Sequence, residues 1–182
     1  MIRIIGGRWR GRKMLVVEAP GLRPTPDRVR ETLFNWLQSY IVEARCLDLF
    51  AGTGALGIEA LSRGAQFVTF CEKNHRAASQ LHKQLEVLEA KADAEIFCID
   101  ANAWIQKPAK KPYDIIFCDP PFRESWALDH LNALIKQGFV HENSLVYLET
   151  EQHFEISSLV FWKVLKERVA GQVAYRLLQP VI

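Results

Sequence analysis

The chain has 182 residues, 49% of them hydrophobic and 24% charged, with a formal net charge of +2. These are ordinary globular values, with enough apolar material for the core of one domain. No apolar run of about 18 residues appears, and the first residues are arginines and glycines, not an apolar leader, which argues against a membrane span and a secretory signal. Cys46, Cys71, Cys98 and Cys118 are too widely spaced for a CxxC or zinc knuckle and read as buried small hydrophobes. The five histidines show no ligand spacing, so no metal is expected.

The charge is uneven. Residues 1–30 hold eight basic groups (Arg3, Arg8, Arg10, Arg12, Lys13, Arg23, Arg28 and Arg30) against Glu18 and Asp27, while the rest of the chain is net acidic. Such a cluster is either a solvated edge or a polyanion contact. Residues 1–22 read as a basic β-hairpin arm, with strands at 3–5 and 14–17 joined through Gly6, Gly7 and Gly11. Trp9, among the arginines at its tip, is a stacking face for a base or a mini-core residue. The arm holds little apolar material, so residues 23–182 are expected to form the main domain without it.

Leu22-Arg23-Pro24-Thr25-Pro26 leads into a helix. Thr25 suits the N-cap, Pro26 the first helical position, and Asp27 the positive end of the helix. Val29, Leu33, Trp36, Leu37, Tyr40 and Ile41 follow helical spacing and predict one apolar face. From residue 45 strands and helices alternate. Strands are predicted at 45–50, 66–71, 95–99, 113–118 and 144–149, and helices at 55–63, 74–90, 101–106 and 125–137. Residues 159–169 and 173–178, flanking Ala170-Gly171-Gln172, read as a closing hairpin. The expected fold class is α/β: a Rossmann-like, mainly parallel seven-stranded sheet ending in an antiparallel hairpin. That is the outline of class I methyltransferases.

Gly52, Gly54 and Gly57 make a GxGxxG loop after the first of these strands, and Glu72 stands at the end of the second. That spacing fits a nucleoside cofactor, with Glu72 accepting from its ribose. NAD and S-adenosylmethionine enzymes share the geometry. Asp48 favours the latter, because its carboxylate suits a cationic methionine end and repels a pyrophosphate. Asp100 is placed to accept from an adenine amine, or else to cap the next helix. Gly57 either belongs to the cofactor loop or only permits close helix–strand packing.

Asp119-Pro120-Pro121-Phe122 follows the apolar segment 113–118 and therefore sits at a strand's carboxyl end. Two prolines make the turn stiff and leave its carbonyls without local N–H donors. A carboxylate, open carbonyls and an aromatic ring on such a turn suit a planar base with an exocyclic amine. The amine donates to Asp119 and the Pro120 carbonyl while Phe122 stacks on the ring. The run is equally at home with guanine-N2, adenine-N6 and cytosine-N4 amines. A non-enzymatic RNA-binding protein explains the basic arm, but leaves four strand-end carboxylates as coincidence.

Arg3 to Gly7, Trp9 to Lys13, Leu22 to Thr25 and Asp27 to Asn35 resemble the opening of the ribosomal RNA small subunit methyltransferase D (RsmD) family. Leu47 to Gly57, Glu59 to Arg63, Asp119 to Phe122 and Val169 to Arg176 continue the resemblance over nearly the whole chain. One departure is Gln84, where the family often carries asparagine. The resemblance implies methyl transfer from S-adenosylmethionine to a guanine N2 in bacterial 16S rRNA, leaving S-adenosylhomocysteine. It implies a cytoplasmic monomer acting on RNA in an assembled or assembling small subunit. The candidate catalytic residues are Asp119, Pro120 and Phe122. Candidate cofactor residues are Asp48, Phe50, Gly52, Thr53, Gly54, Glu72, Lys73, Asp100 and Ala101. Candidate RNA contacts are Arg8, Trp9, Arg10, Arg12, Arg23, Thr25, Arg28, Arg30, Pro121 and Arg123.

Overall fold

The computed structural model describes residues 1–15, 25–120 and 124–182, with 124–126 as backbone. The expected α/β class is present. Seven strands form a sheet in the order Ala94–Phe97, Phe67–Cys71, Arg45–Asp48, Ile115–Cys118, Leu145–Glu151, Val173–Pro180 and Trp162–Ala170, and Ile2–Arg3 and Lys13–Met14 form a separate two-stranded sheet. The chain divides into two compact units, Met1–Ala101 and Asn102–Ile182.

In the first unit, β3 (Arg45–Asp48), β4 (Phe67–Cys71) and β5 (Ala94–Phe97) run parallel. Between them lie α2 (Ala55–Ser62) and α3 (His75–Val87). Every residue of α2 is buried. Its apolar sequence, ALGIEALS, has no solvent face because the glycine loop drives it down onto the sheet. A Cβ on Gly57 would lie 2.2 Å from the Phe70 ring, so glycine is what permits this approach. α3 is amphipathic and is capped by Asn74, whose side chain accepts from the Arg76 and Ala77 N–H groups at 2.9 and 3.1 Å.

The second unit holds α4 (Ala101–Trp104) apart from its first residue, β6 (Ile115–Cys118), α5 (Glu124–Lys136) and β7 (Leu145–Glu151). β8 (Trp162–Ala170) and β9 (Val173–Pro180) complete it. β6 and β7 are parallel, whereas β9 is antiparallel to both β7 and β8. The closing hairpin is therefore as expected, with a register irregularity between Val164 and Lys166.

Several local expectations are corrected. The first helix, α1, spans Asp27–Trp36, so Pro26 holds the cap position and Thr25 lies outside it. Pro26 offers its carbonyl to the Val29 and Arg30 N–H groups. The helix stops before Tyr40, which is exposed, although Ile41 is buried in the turn that follows. The arm strands are Ile2–Arg3 (β1) and Lys13–Met14 (β2), shorter than predicted, and residues 16 and 17 lie outside the described residues. Cys98 is exposed beyond β5, with its Sγ 3.2 Å from His75 Nδ1, whereas the other three cysteines are buried. Burial pushes the Cys71 and Cys118 thiols far up, which keeps them neutral and inert.

The arm also departs from its expected independence. Ile2, Ile4, Trp9 and Met14 are all buried. Glu59 of α2, at 0% exposure, accepts from the Ile5 and Gly6 N–H groups at 2.8 and 2.7 Å. Ser62 donates to the Gly6 carbonyl at 2.6 Å and accepts from the Trp9 N–H at 3.0 Å. Gly7 packs so close that a Cβ there would lie 1.8 Å from the Ser62 carbonyl oxygen. The arm is part of the first unit's core.

Candidate active site

The cofactor candidates all belong to the first unit. β3 ends at Asp48, which is 3% exposed, and its Oδ2 accepts from the Gly57 N–H at 3.0 Å. Gly57 is the third residue of α2, and the helix lacks a side-chain cap from Gly54. Asp48 thus takes the place of the missing cap, from a neighbouring strand. β4 ends one residue before Glu72, whose Oε2 accepts from Gly52 N–H and Oε1 from Asn74 N–H, each at 2.7 Å. The Glu72 N–H in turn donates to the Phe97 carbonyl at 3.0 Å. One carboxylate therefore ties the glycine loop to the start of α3, while its backbone fixes it to the end of β5.

Burial is the largest influence on Asp48. It pushes the carboxyl up to about 7, the Gly57 hydrogen bond opposes this, and the nearby Glu72 charge adds to the rise. Such a site rewards a cation and resists further negative charge. In dinucleotide enzymes the pyrophosphate lies at this helix N-terminus, but here the Asp48 carboxylate already accepts from it. The donor set therefore fits a nucleoside with a cationic tail. Gly57 donates to Asp48 and admits the Phe70 ring, which is the close helix–strand packing expected of it.

Phe50, Thr53 and Asp100 are partly exposed, Gly52, Gly54 and Ala101 are buried, and Lys73 is exposed. Asp100 stands immediately before α4, at the end of the β5 loop. In the second unit, Asp119 is partly exposed just past β6 and Pro120 is buried. Pro121, Phe122, Arg123 and Arg23 lie outside the described residues.

Two RNA candidates are corrected. Trp9 is 6% exposed, so of its two readings the mini-core one holds; the Arg8 guanidinium lies 4.2 Å from its ring centroid. Arg30 is 0% exposed. It donates to the Arg3 carbonyl at 2.8 Å and to Asp27 at 2.7 Å, and lies 3.6 Å from Glu59. Its charge supports the arm from within and is not offered to a phosphate. Arg8 is half-exposed and pairs with Asp93 at 3.2 Å. Arg10, Arg12 and Arg28 are exposed, and Thr25 is partly so.

Sequence reading missed Glu59 and Ser62, although a carboxylate within an otherwise apolar helix is a visible signal. It also missed Tyr147 and Glu149, a buried pair on β7 whose hydroxyl-to-carboxylate distance is 2.6 Å. The alternation of Tyr147 and Glu149 places both on one face of a strand, but the apolar run before them hides it. Among the described residues, no helix is long and apolar enough to cross a membrane.

Comparison with known proteins agrees with this architecture. A family model described as Conserved hypothetical protein 95 matches residues 2–179. The Escherichia coli K12 protein named Ribosomal RNA small subunit methyltransferase D is 48% identical over 179 residues, covering 98% of this chain and 89% of that protein. Its Haemophilus influenzae namesake is 44% identical over 180 residues, covering 98% and 93%. A solved structure of the Escherichia coli protein yhhF superposes with a TM-score of 0.90 at 44% identity, covering 98% of this chain and 97% of that one. With the glycine loop, its two strand-end carboxylates and the matching fold together, this methyltransferase chain belongs to the ribosomal RNA small subunit methyltransferase D family.

Proposed function

We propose that the protein transfers a methyl group from S-adenosylmethionine to the exocyclic N2 amine of a guanine in 16S rRNA, within an assembled or assembling small subunit in the bacterial cytoplasm. The observation that carries the cofactor half of this reading is the Asp48 carboxylate on the Gly57 N–H. The names of the relatives support ribosomal RNA as the substrate.

Glu72 accepts from the ribose hydroxyls, Asp48 neutralises the cationic methionine end, and Asp100 accepts from the adenine amine. Phe50, Gly52, Thr53, Gly54, Lys73 and Ala101 line the remainder. When bound, the cofactor supplies a methyl group activated by a sulfonium. The chain's task is to make a poor nucleophile available. A guanine amine delocalises its lone pair into the ring, and donating both hydrogens to the Asp119 carboxylate and the Pro120 carbonyl favours a pyramidal nitrogen. Positioning and fixed electrostatics account for most of the catalysis. Asp119 accepts the proton released from the amine after transfer. Phe122 holds the base by stacking once it has left its own stack.

The test is transfer of labelled methyl to small-subunit RNA or particles, followed by nuclease digestion and chromatography. N2-methylguanosine is the expected product. Asp119→Ala abolishes transfer with cofactor affinity nearly intact, and Asp119→Asn keeps modest activity because its amide oxygen still accepts from the amine. Glu72→Ala weakens cofactor binding in calorimetry by about 1–3 kcal/mol, the range for a lost charged hydrogen bond. Full turnover by Asp119→Ala overturns the mechanism, and equal binding of NAD overturns the cofactor.

A further inference from the structure

The second unit contains a buried hydroxyl–carboxylate pair that this mechanism does not use. Tyr147 and Glu149 are two residues apart on β7, so their side chains leave the same face of the sheet. The Tyr147 hydroxyl donates to Glu149 Oε1 at 2.6 Å, and the residues are 0% and 8% exposed. The pair lies beside the Asp119 turn. On the parallel strands, Phe117 is opposite Tyr147 and Cys118 is opposite Leu148, and the next residues along are Asp119 and Glu149. Burial foremost, then the Glu149 carboxylate, raise the Tyr147 phenol well above its ordinary value, and the Asp119 charge adds to this. The phenol therefore remains a donor at neutral pH, and Asp119 is within its electrostatic reach.

Removing a carboxylate from water is costly unless donors compensate. Tyr147 supplies one such donor and fixes the carboxylate in place. Ligands of open α/β sheets bind beyond the carboxyl ends of the strands, which is where β6 ends. Asp119 and Glu149 form a pair of carboxylate acceptors at one level of that edge. It matches a base edge that carries donors side by side.

We propose that Glu149 is a specificity residue for the base: it accepts from the ring N–H that adjoins the amine held by Asp119. This rests on the reading of Asp119 as the amine acceptor. Guanine presents N1–H beside N2–H2, so both groups donate. Adenine presents N1, and cytosine N3, as an acceptor beside the amine, which sets a lone pair against the Glu149 carboxylate. Asp119 and the prolines do not discriminate among these three amines, and Glu149 supplies the missing selection. Tyr147 acts through Glu149 as a positioning residue.

The test compares small-subunit RNA carrying guanosine at the methylated position with RNA carrying 2-aminopurine riboside there. The analogue keeps the amine but has an acceptor at N1. Wild-type protein is expected to favour guanine in kcat/KM by at least roughly tenfold, as a buried charged acceptor facing the wrong partner requires. Glu149→Gln can donate to the N1 acceptor. It is expected to reduce that ratio about tenfold or more, with cofactor Kd unchanged. Tyr147→Phe, which retains the carboxylate, is expected to slow guanine methylation several-fold while keeping the preference. An unchanged ratio in folded Glu149→Gln overturns the inference. Should that variant not fold, Glu149→Asp replaces it: a carboxylate one methylene short slows guanine methylation about tenfold, and unchanged turnover overturns the inference. Wild-type protein that methylates an adenine or cytosine amine overturns the guanine reading itself. Guanine-N2 methylation together with an unchanged Glu149→Gln ratio overturns only the role of Glu149.

Discussion

Asp48 combines two demands in one side chain. As the acceptor for Gly57 it holds the start of α2, and in the proposed function it is the buried carboxylate that meets the cationic end of the cofactor. Its carboxyl is raised from 3.8 to about 7, chiefly by burial. Between those values the unfolded chain ionises while the native site stays protonated, so the native state binds the extra proton. Stability of the cofactor-free protein should therefore fall as pH rises from about 4 to 7 and level off above that, by a few kcal/mol in all at roughly 1.4 kcal/mol per unit. A cationic ligand favours the ionised form, so binding near pH 6.5 should release a proton, and affinity should rise with pH up to about 7. Calorimetry in buffers of different ionisation enthalpy reads that proton directly. Asp48→Asn keeps an acceptor for Gly57 and removes the charge. It should abolish this part of the pH dependence and the proton release, and weaken the cofactor. Proton release that persists undiminished in Asp48→Asn would assign it to another group.

At the scale of elements, α2 is the hub of the first unit. Its N-terminus is held by Asp48, and Glu59 and Ser62 on its body receive the arm. Glu59→Ala removes the buried one of the two carboxylates beside the Arg30 guanidinium, leaving the exposed Asp27, and takes the acceptor from two arm N–H groups. A loss of about 3–5 kcal/mol is expected, the cost of breaking a buried ion pair on one side. Urea denaturation measures it, and deletion of residues 1–15 should cost at least as much. Glu59→Ala with an unchanged midpoint would restore the arm as an appendage. The alternation of strands and helices was legible because each element declares itself locally, through periodicity and turn residues. So were the places of Asp48, Gly52 and Glu72 at two strand ends and in the loop between strand and helix, since the glycine spacing marks that turn. The arm's docking was not, because it depends on contacts more than 50 residues apart, such as Gly6 to Glu59. Arg30 read as a surface cation for the same reason: its position on α1 reveals its face but not the carboxylate that meets it. The end of α1 was misread because Tyr40 and Ile41 continue a helical spacing that the turn after Trp36 breaks.

Across the molecule, the basic N-terminal segment retains its role in the proposed RNA capture, with fewer cations than the sequence offers. Arg30 is spent internally and Arg8 pairs with Asp93, which leaves Arg10, Arg12 and Arg28 as exposed candidates in the described part of residues 1–30. Because arm and α2 share a core, deletion of the arm confounds lost binding with lost folding. Charge reversal is the cleaner experiment. Arg10→Glu with Arg12→Glu touches no buried side chain and should leave the denaturation midpoint and cofactor affinity unchanged. Affinity for small-subunit RNA should fall, and its dependence on salt should flatten. Each lost phosphate contact lowers the slope of log K against log salt by about 0.7–0.9, so the pair should lower it by roughly 1.5. Arg8→Ala should change the slope less, because Asp93 already holds that guanidinium. The measurement is RNA binding at several salt concentrations for the three proteins. If the double variant keeps both affinity and slope, the arm's charge is a solvated edge, and the polyanion contact must lie elsewhere on the molecule.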